Sequence, residues 1–299
     1  MTFSRTLKYS ASSSRNGLHQ FLLSSYREFL DLFSDAAFKD LFDGDYLFRG
    51  QENALWRLEP SLTRSLRSVN SERHNELRIK HLRNFCMQLR GYPNLVQPEH
   101  LRRTLENIER KHMGHINSTA GQRVVHDTMV QDEVDLWSIG QHRGLATPLL
   151  DWSRSPLDAL FFAFDFSKSP PPTYCALFAF NMKLATERSK IIRDQGRTNV
   201  IDFVEPIGGE RSRILAQNGL FSLCTSSLPI EHWVTSNFSS EDHADKPVLI
   251  KFVIPTEEAE KCQWELGVYG ATALKLFPDL EGVCKSCNSR FENQKGEVK

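Results

Sequence analysis

The chain has no excess of either charge: 37 Lys and Arg stand against 37 Asp and Glu, for a formal net charge of zero. A protein that coats nucleic acid or an anionic membrane wholesale carries a surplus of cations, so neither partner class is read from the bulk charge. No apolar run approaches the roughly 20 residues needed to cross a bilayer, and no membrane partner is expected. Cysteine is scarce and irregular, with six in 299 residues. That is no disulfide framework, and free thiols in a reducing, cytoplasmic setting are the simplest expectation. The P-loop and the GxGxxG, GxSxG and HExxH patterns are all missing, which weakens kinase, Rossmann dehydrogenase, esterase and metalloprotease readings. The one CxxC, Cys284 to Cys287, has no second pair to complete a zinc site, so no metal is expected.

What is present is ordinary globular composition, 40% hydrophobic and 25% charged, with length for one large domain or two small ones. The first 27 residues hold Arg5, Lys8, Arg15 and Arg27, several serines and no acid before Glu28. Transit peptides and frayed cytosolic N-termini share that composition.

Periodicity predicts one or two amphipathic helices over 17–42 and a short buried strand at Tyr46-Leu47-Phe48. Residues 56–62 read as a loop that tucks its apolar side chains back on the fold. Two basic helices over 70–113 follow, split by Pro93–Pro98, then a helix at 130–140 and a strand from Leu145 to Leu150. Pro156 opens a helix over 156–166. Strands are expected at Tyr174–Asn181, Val200–Val204, Gly219–Cys224 and Val248–Ile254, with a short helix Arg211–Ala216. Residues 234–246 read as a polar connection, 256–267 as a helix and 283–299 as a charged, partly disordered tail. Helices thus precede residue 145 and strands follow it. The expected fold is α+β, with a large helical insertion, about 64–140, after the first core strand. The expected layout is an N-terminal helical segment 1–43, a main domain 44–285 and a tail 286–299.

The densest chemistry lies in 137–166, WSIGQHRGLATPLLDWSRSPLDALFFAFDF. Gln141, His142, Arg143, Thr147, Asp151, Ser153 and Arg154 crowd around a short apolar run, where each unpaired buried polar group costs about 1–3 kcal/mol. Either they satisfy one another or they face a cleft and hold a ligand. Arg49, at the end of an apolar strand and followed by Gly50, suits a bidentate grip on phosphate or carboxylate, or else a core salt bridge. Gln51 shares its face of the strand. His142 reads as an acid or base near neutral pH, or as a structural hydrogen-bonder. Asp151, beside Leu149-Leu150, needs a charged partner, with Arg49, His142 and Arg143 the candidates, unless it caps the next helix. Gln217 stands at a strand entry where it reads an amide or simply lies exposed. Between 61 and 115 eleven Lys and Arg face five acids, a basic helical face for nucleic acid or for solvent.

These residues carry a resemblance. Tyr46-Leu47-Phe48-Arg49-Gly50-Gln51 is similar to the motif that names the FRG domain, and Gln141 through Ser153, QHRGLATPLLDWS, resembles that family's most characteristic run. Arg213, Gln217, Gly219 and Phe221 resemble a third motif, and the turn at 276–282 a fourth; together they span roughly 40–285. The motif order also resembles the ADP-ribosyltransferase fold, which implies a mixed or antiparallel β core and NAD as substrate. On that likeness Arg49 anchors the NAD phosphates, with Gly50, Gln51, Gln141, Arg143 and Arg213 beside the ligand. Thr147, Asp151 and Ser153 form the second motif, and Gln217 or Glu231 the third. His142 and Asp151 polarise the reacting centre.

The chain departs from that superfamily in having no glutamate on Gly219–Cys224, leaving Asp151 or Glu205 to supply a carboxylate. The implied activity is cleavage of the nicotinamide–ribose bond, with ADP-ribose passed to water or to a protein or nucleic-acid acceptor. The alternatives are a nucleotide or ADP-ribose binding module without catalysis, and nucleic-acid binding through the basic helices. All NAD readings require the stretches near 49, 147 and 217 to converge on one pocket.

Overall fold

The computed structural model describes residues 13–34, 44–67, 69–117, 131–166, 170–197, 199–205, 216–217, 219–224, 227–239 and 247–297. Its most apolar strand, Tyr174–Asn181, is buried at every position but the first. A strand covered on both faces shows no polar alternation, and this one lies inside the sheet. Eight strands are found among the described residues: β1 (Ser13–Arg15), β2 (Leu18–Leu22), β3 (Tyr46–Gln51), β4 (Leu149–Ser153), β5 (Tyr174–Asn181), β6 (Ile201–Val204), β7 (Gly219–Cys224) and β8 (Leu249–Pro255). They form one sheet in the order β1-β2-β8-β5-β3-β4-β7-β6. The β2–β8 pair is parallel and the other pairs are antiparallel.

The described helices are α1 (Tyr26–Ser34), α2 (Ser61–Ser65), α3 (Ser71–Leu89), α4 (Pro98–Asn117), α5 (Gln131–Gln141), α6 (Pro156–Phe164), α7 (Met182–Asp194), α8 (Ile230–Asn237), α9 (Ala259–Val268), α10 (Ala273–Leu276) and α11 (Leu280–Glu297). Local sequence sets several of their ends. Asn70 caps α3 and Asn181 caps α7, each through its side-chain oxygen. Ser155 caps α6 with Pro156 in its first turn.

One face of the sheet carries two separate groups of helices. Tyr46 and Phe48 of β3 pack with Phe164 of α6, Phe29 of α1, Leu266 of α9 and Leu276 of α10. Farther along, Leu149 of β4 and Phe221 and Leu223 of β7 pack with Leu82 of α3, Leu105 of α4 and Trp137 of α5. The opposite face, with Leu47, Trp152 and Phe178, is covered by Ile192 of α7, Trp233 of α8 and the loop residue Leu58. The fold is therefore α+β, and α2 to α5 are the helical insertion between β3 and β4.

Several local expectations are corrected. Residues 18–22 are not helical: they form β2, which continues the sheet beside β8, and only Tyr26–Ser34 of the expected helical segment is helix. The ladder of β4 runs from Leu149 to Ser153 rather than from Leu145. Gly144, at φ +85°, and the bond from Leu145 N–H to the Gly140 carbonyl instead finish the turn after α5. Of the apolar residues at 56–62, Leu58 and Leu62 tuck inward, but Trp56 is 43% exposed. Of the charged tail, the described residues, through Glu297, belong to α11. Helices α7 and α8 were not anticipated, and α8 occupies part of the polar connection. The expected helix Arg211–Ala216 lies, apart from its last residue, outside the described residues.

Candidate functional site

β3 and β4 meet at a single register pair, Phe48 with Ser153. Continued antiparallel pairing would set Gly50 opposite Asp151, but the strands part there. Close packing of α6 against β3 accompanies the split: a Cβ on Gly50 would sit 1.9 Å from the Ala159 carbonyl oxygen. A cleft of about 630 Å³ lies at the parting, its lining including Ala159, Phe162 and Phe277 together with Gln141, His142 and Leu145. That volume lies within the usual range for small-molecule sites.

A chain of side-chain bonds crosses the floor. Thr147, wholly buried, donates its hydroxyl to Gln141 Oε1. The amide is thereby oriented, and Gln141 Nε2 donates to Asp151 Oδ1 at 2.7 Å. Arg49 Nη1 donates to the Asp151 main-chain carbonyl at 2.8 Å and reaches Asp151 Oδ2 at 3.4 Å. The carboxylate is thus held on both oxygens while remaining 50% exposed, against 23% for Arg49. Burial lowers the Arg49 pKa, and Asp151 opposes that shift. Arg49 Nε and Gln51 Oε1 are buried with no hydrogen-bond partner. Unmet groups of this kind cost about 1–3 kcal/mol each unless a ligand satisfies them.

Of the residues singled out in sequence, the cleft gathers Arg49, Gly50, Gln51, Gln141, His142, Asp151, Ser153 and Gln217. Three of these make bonds outside that chain. Gln51 Nε2 donates to the Arg57 carbonyl at 3.4 Å. Ser153 Oγ donates to the Gln217 carbonyl at 2.6 Å and accepts from Ser155 N–H. Gln217 Nε2 donates to the Leu276 carbonyl at 2.9 Å, which ties β7 to the turn after α10. Asp151 bonds to Arg49 and Gln141, not to His142, and the cap of α6 is Ser155.

Thr147 and Arg143 are not lining residues; Thr147 stands behind Gln141, and Arg143 is exposed. Arg213 lies outside the described residues. Glu231 is not at the cleft either: it caps the loop below the sheet, where both its oxygens accept from Leu58 N–H at 3.0 Å. Glu205 pairs with Arg154 on the surface. Among the carboxylates considered in sequence, Asp151 alone lines the cleft.

Sequence reading missed Arg64, Trp56, Phe162, Phe277, Glu52, Glu59 and Asp165, which also line it. Glu59 pairs with Arg67 and Asp165 with Lys285 of α11. The Lys285 ammonium also lies 4.3 Å from the centre of the Phe277 ring. The motif Leu-Phe-Pro-Asp-Leu signalled Phe277; nothing local marked Arg64.

On the basic helices, Arg73 and Lys80 pair with Glu76, and Arg102 pairs with Glu99 and Glu106. Acids one turn away thus meet several of the exposed cations. Among the described residues no group of three His, Cys, Asp or Glu is placed to hold a metal ion, and no helix is long and apolar enough to cross a membrane.

Fold and site together define an α+β protein with a charged cleft where two central strands diverge. Residues 44–171 match the family model of the FRG domain. The matched span contains Arg49, Gln141, His142, Asp151 and Ser153; Gln217 and the turn at 276–282 lie beyond it. Comparison with curated proteins and with solved structures finds no match.

Proposed function

We propose that the cleft binds NAD and cleaves its nicotinamide–ribose bond, passing ADP-ribose to water or to a protein or nucleic-acid acceptor. The observation that carries this reading is the pairing of Arg49 with a fixed, half-exposed Asp151 carboxylate in an open cleft. In the reaction the bond from ribose C1′ to the nicotinamide nitrogen breaks, and its electron pair leaves with neutral nicotinamide. Positive charge grows on the ribose, where a carboxylate already oriented by Gln141 stabilises it without reorganising. The incoming oxygen bonds to C1′, and its proton passes to Asp151 or to solvent.

The unused donors of Arg49 suit the phosphates and Gln51 Oε1 a ribose hydroxyl. Trp56 and Phe277 offer aromatic faces. Asp151 takes the part of the glutamate that β7 does not carry. His142 keeps a proton-carrying role, without a bond to Asp151. The ADP-ribosyltransferase-like architecture belongs to this reading, as does a cytoplasmic setting, which accords with six free thiols.

Incubating the full chain with NAD labelled in the nicotinamide, and scoring release, tests the proposal. Release that depends on Asp151 supports it. Binding that depends on Arg49 without release would assign a non-catalytic nucleotide module instead, a reading favoured by the partial neutralisation of Asp151 by Arg49. Neither binding nor release overturns both.

A further inference from the structure

The cleft has a second cation that the sequence reading passed over. Ser61 and Arg64 stand three residues apart on α2, hence on one face of that helix, and both line the cleft. The helix is stitched to the cleft floor through Thr147. Thr147 N–H donates to Ser61 Oγ at 2.9 Å, and Leu62 N–H donates to the Thr147 carbonyl at 3.1 Å. The backbone that carries Arg64 is therefore fixed relative to the chain of bonds that runs from Thr147 through Gln141 and Asp151 to Arg49.

The charges around it are already matched. Arg67 takes Glu59, Lys285 takes Asp165, and Arg49 and Gln141 hold Asp151. Glu52 is also engaged. Among the described residues Arg64 makes no side-chain hydrogen bond or ion pair. Its charge is felt at Arg49, whose pKa it lowers further. The cleft thus holds two guanidiniums, Arg64 with its side-chain donors unengaged and Arg49 with a buried Nε left without a partner, and an anion between them would meet both.

We infer that Arg64 and Arg49 form a two-armed anion clamp, and that Arg64 makes the cleft select a diphosphate over a monophosphate. A single phosphate satisfies one guanidinium fork, whereas a pyrophosphate presents oxygens to both. This deepens the reading of the cleft as a nucleotide site by naming the part of the ligand that is recognised, and it rests on that reading.

The test is calorimetric titration of the full chain with inorganic phosphate, inorganic pyrophosphate, AMP and ADP. Wild type should bind pyrophosphate and ADP about tenfold or more tighter than phosphate and AMP, the span of one charge-assisted hydrogen-bonded contact. Arg64→Gln should reduce both preferences to below about threefold while leaving the unliganded Tm unchanged, since no bond is lost. Arg73→Gln, which removes an equal charge from α3, should keep the preference. The inference is overturned if wild type shows no preference, if Arg64→Gln retains it, or if both variants lose it equally. Nicotinamide release is scored separately: a diphosphate preference without release sinks the catalytic proposal alone, and release without the preference sinks the clamp alone.

Discussion

Arg49 and Asp151, 102 positions apart, are joined twice: Nη1 donates to the Asp151 main-chain carbonyl at 2.8 Å and reaches its Oδ2 at 3.4 Å. The carbonyl bond does the work of the ladder that β3 and β4 abandon after Phe48 and Ser153. An arginine side chain thus closes what would otherwise be an unmet strand edge. The same guanidinium sits against the carboxylate without being exhausted by it, because 3.4 Å to a half-exposed acid is a weak ion pair. Strand geometry and site chemistry are in this way one feature, and changes to either residue act on both.

Asp151→Asn separates binding from chemistry. The asparagine oxygen still accepts from Gln141 and the Arg49 bond to the main chain is untouched, while the long 3.4 Å contact of Arg49 with Oδ2 is lost. The negative charge that the proposed reaction sets against the ribose is gone. Nicotinamide release should fall by about 10²–10³-fold, the span of a lost electrostatic contact to a transition state, while NAD affinity moves by less than about tenfold. Steady-state release and calorimetry on the same preparation measure both. A variant that turns over within about threefold of wild type removes Asp151 from the reaction.

Gly50→Ala should be severely destabilising, against the intrinsic preference of a strand, in which alanine is better than glycine by about 0.5–1 kcal/mol. The added Cβ would lie 1.9 Å from the Ala159 carbonyl oxygen and 2.4 Å from the Ala163 nitrogen. Both are backbone atoms of α6, so no side chain can swing aside and the helix itself must shift. A loss of about 3 kcal/mol or more is expected in urea denaturation, or failure to accumulate folded protein. A change under about 1 kcal/mol would show that α6 does not pack on β3 this closely.

These residues also show what the chain discloses locally. The partnership of Asp151 with a cation was legible because an acid beside Leu149-Leu150 needs one, and Arg49 was among three candidates. The start of α6 was legible because Ser155 and Pro156 are capping and first-turn residues. Arg64 was hidden among eleven cations in one helical stretch, and only the stitching of α2 to Thr147 selects it. β2 was misread because Leu-His-Gln-Phe-Leu fits a helical period too, and its partner β8 begins over two hundred positions later. The charge of 283–299 points to a partly disordered tail, yet Lys285 of α11 meets Asp165 and Phe277 at the cleft. Short-range pattern marks elements; it does not mark which surfaces long-range packing brings together.

Thr147→Val tests whether the buried hydroxyl orients Gln141. Valine nearly conserves the volume, but it leaves Gln141 Oε1 without the donor it has now. The expected cost is about 1–3 kcal/mol of unfolding free energy, the penalty for an orphaned acceptor. In a Gln141→Met background that acceptor no longer exists, so the same substitution should cost less than about 0.5 kcal/mol there. The double-mutant cycle then gives a coupling of about 1 kcal/mol or more. Additive costs would mean that Thr147 matters to packing alone.

Glu231→Gln should change stability in a pH-dependent direction that follows from burial. Burial pushes the Glu231 carboxyl above its ordinary value of 4.5, an effect larger than the opposing bond from Leu58 N–H. A folded-state pKa above the unfolded one means that the fold holds the proton more tightly than the open chain does. The contribution of Glu231 is therefore most favourable below about pH 4.5 and is lost as pH rises through the folded value. Glutamine keeps an oxygen to accept from Leu58 N–H and has no proton to lose. The Tm of the variant minus that of wild type should accordingly rise as pH climbs above about 4.5 and level off once pH has passed the folded value. A flat or falling difference would show that the carboxylate is not disfavoured where it sits. The readout reaches the cleft as well, since Glu231 anchors Leu58, two residues beyond the Trp56 that lines it. If the loop is held by the bond rather than by the charge, ADP affinity should be the same in Glu231→Gln as in wild type and weaker in Glu231→Ala.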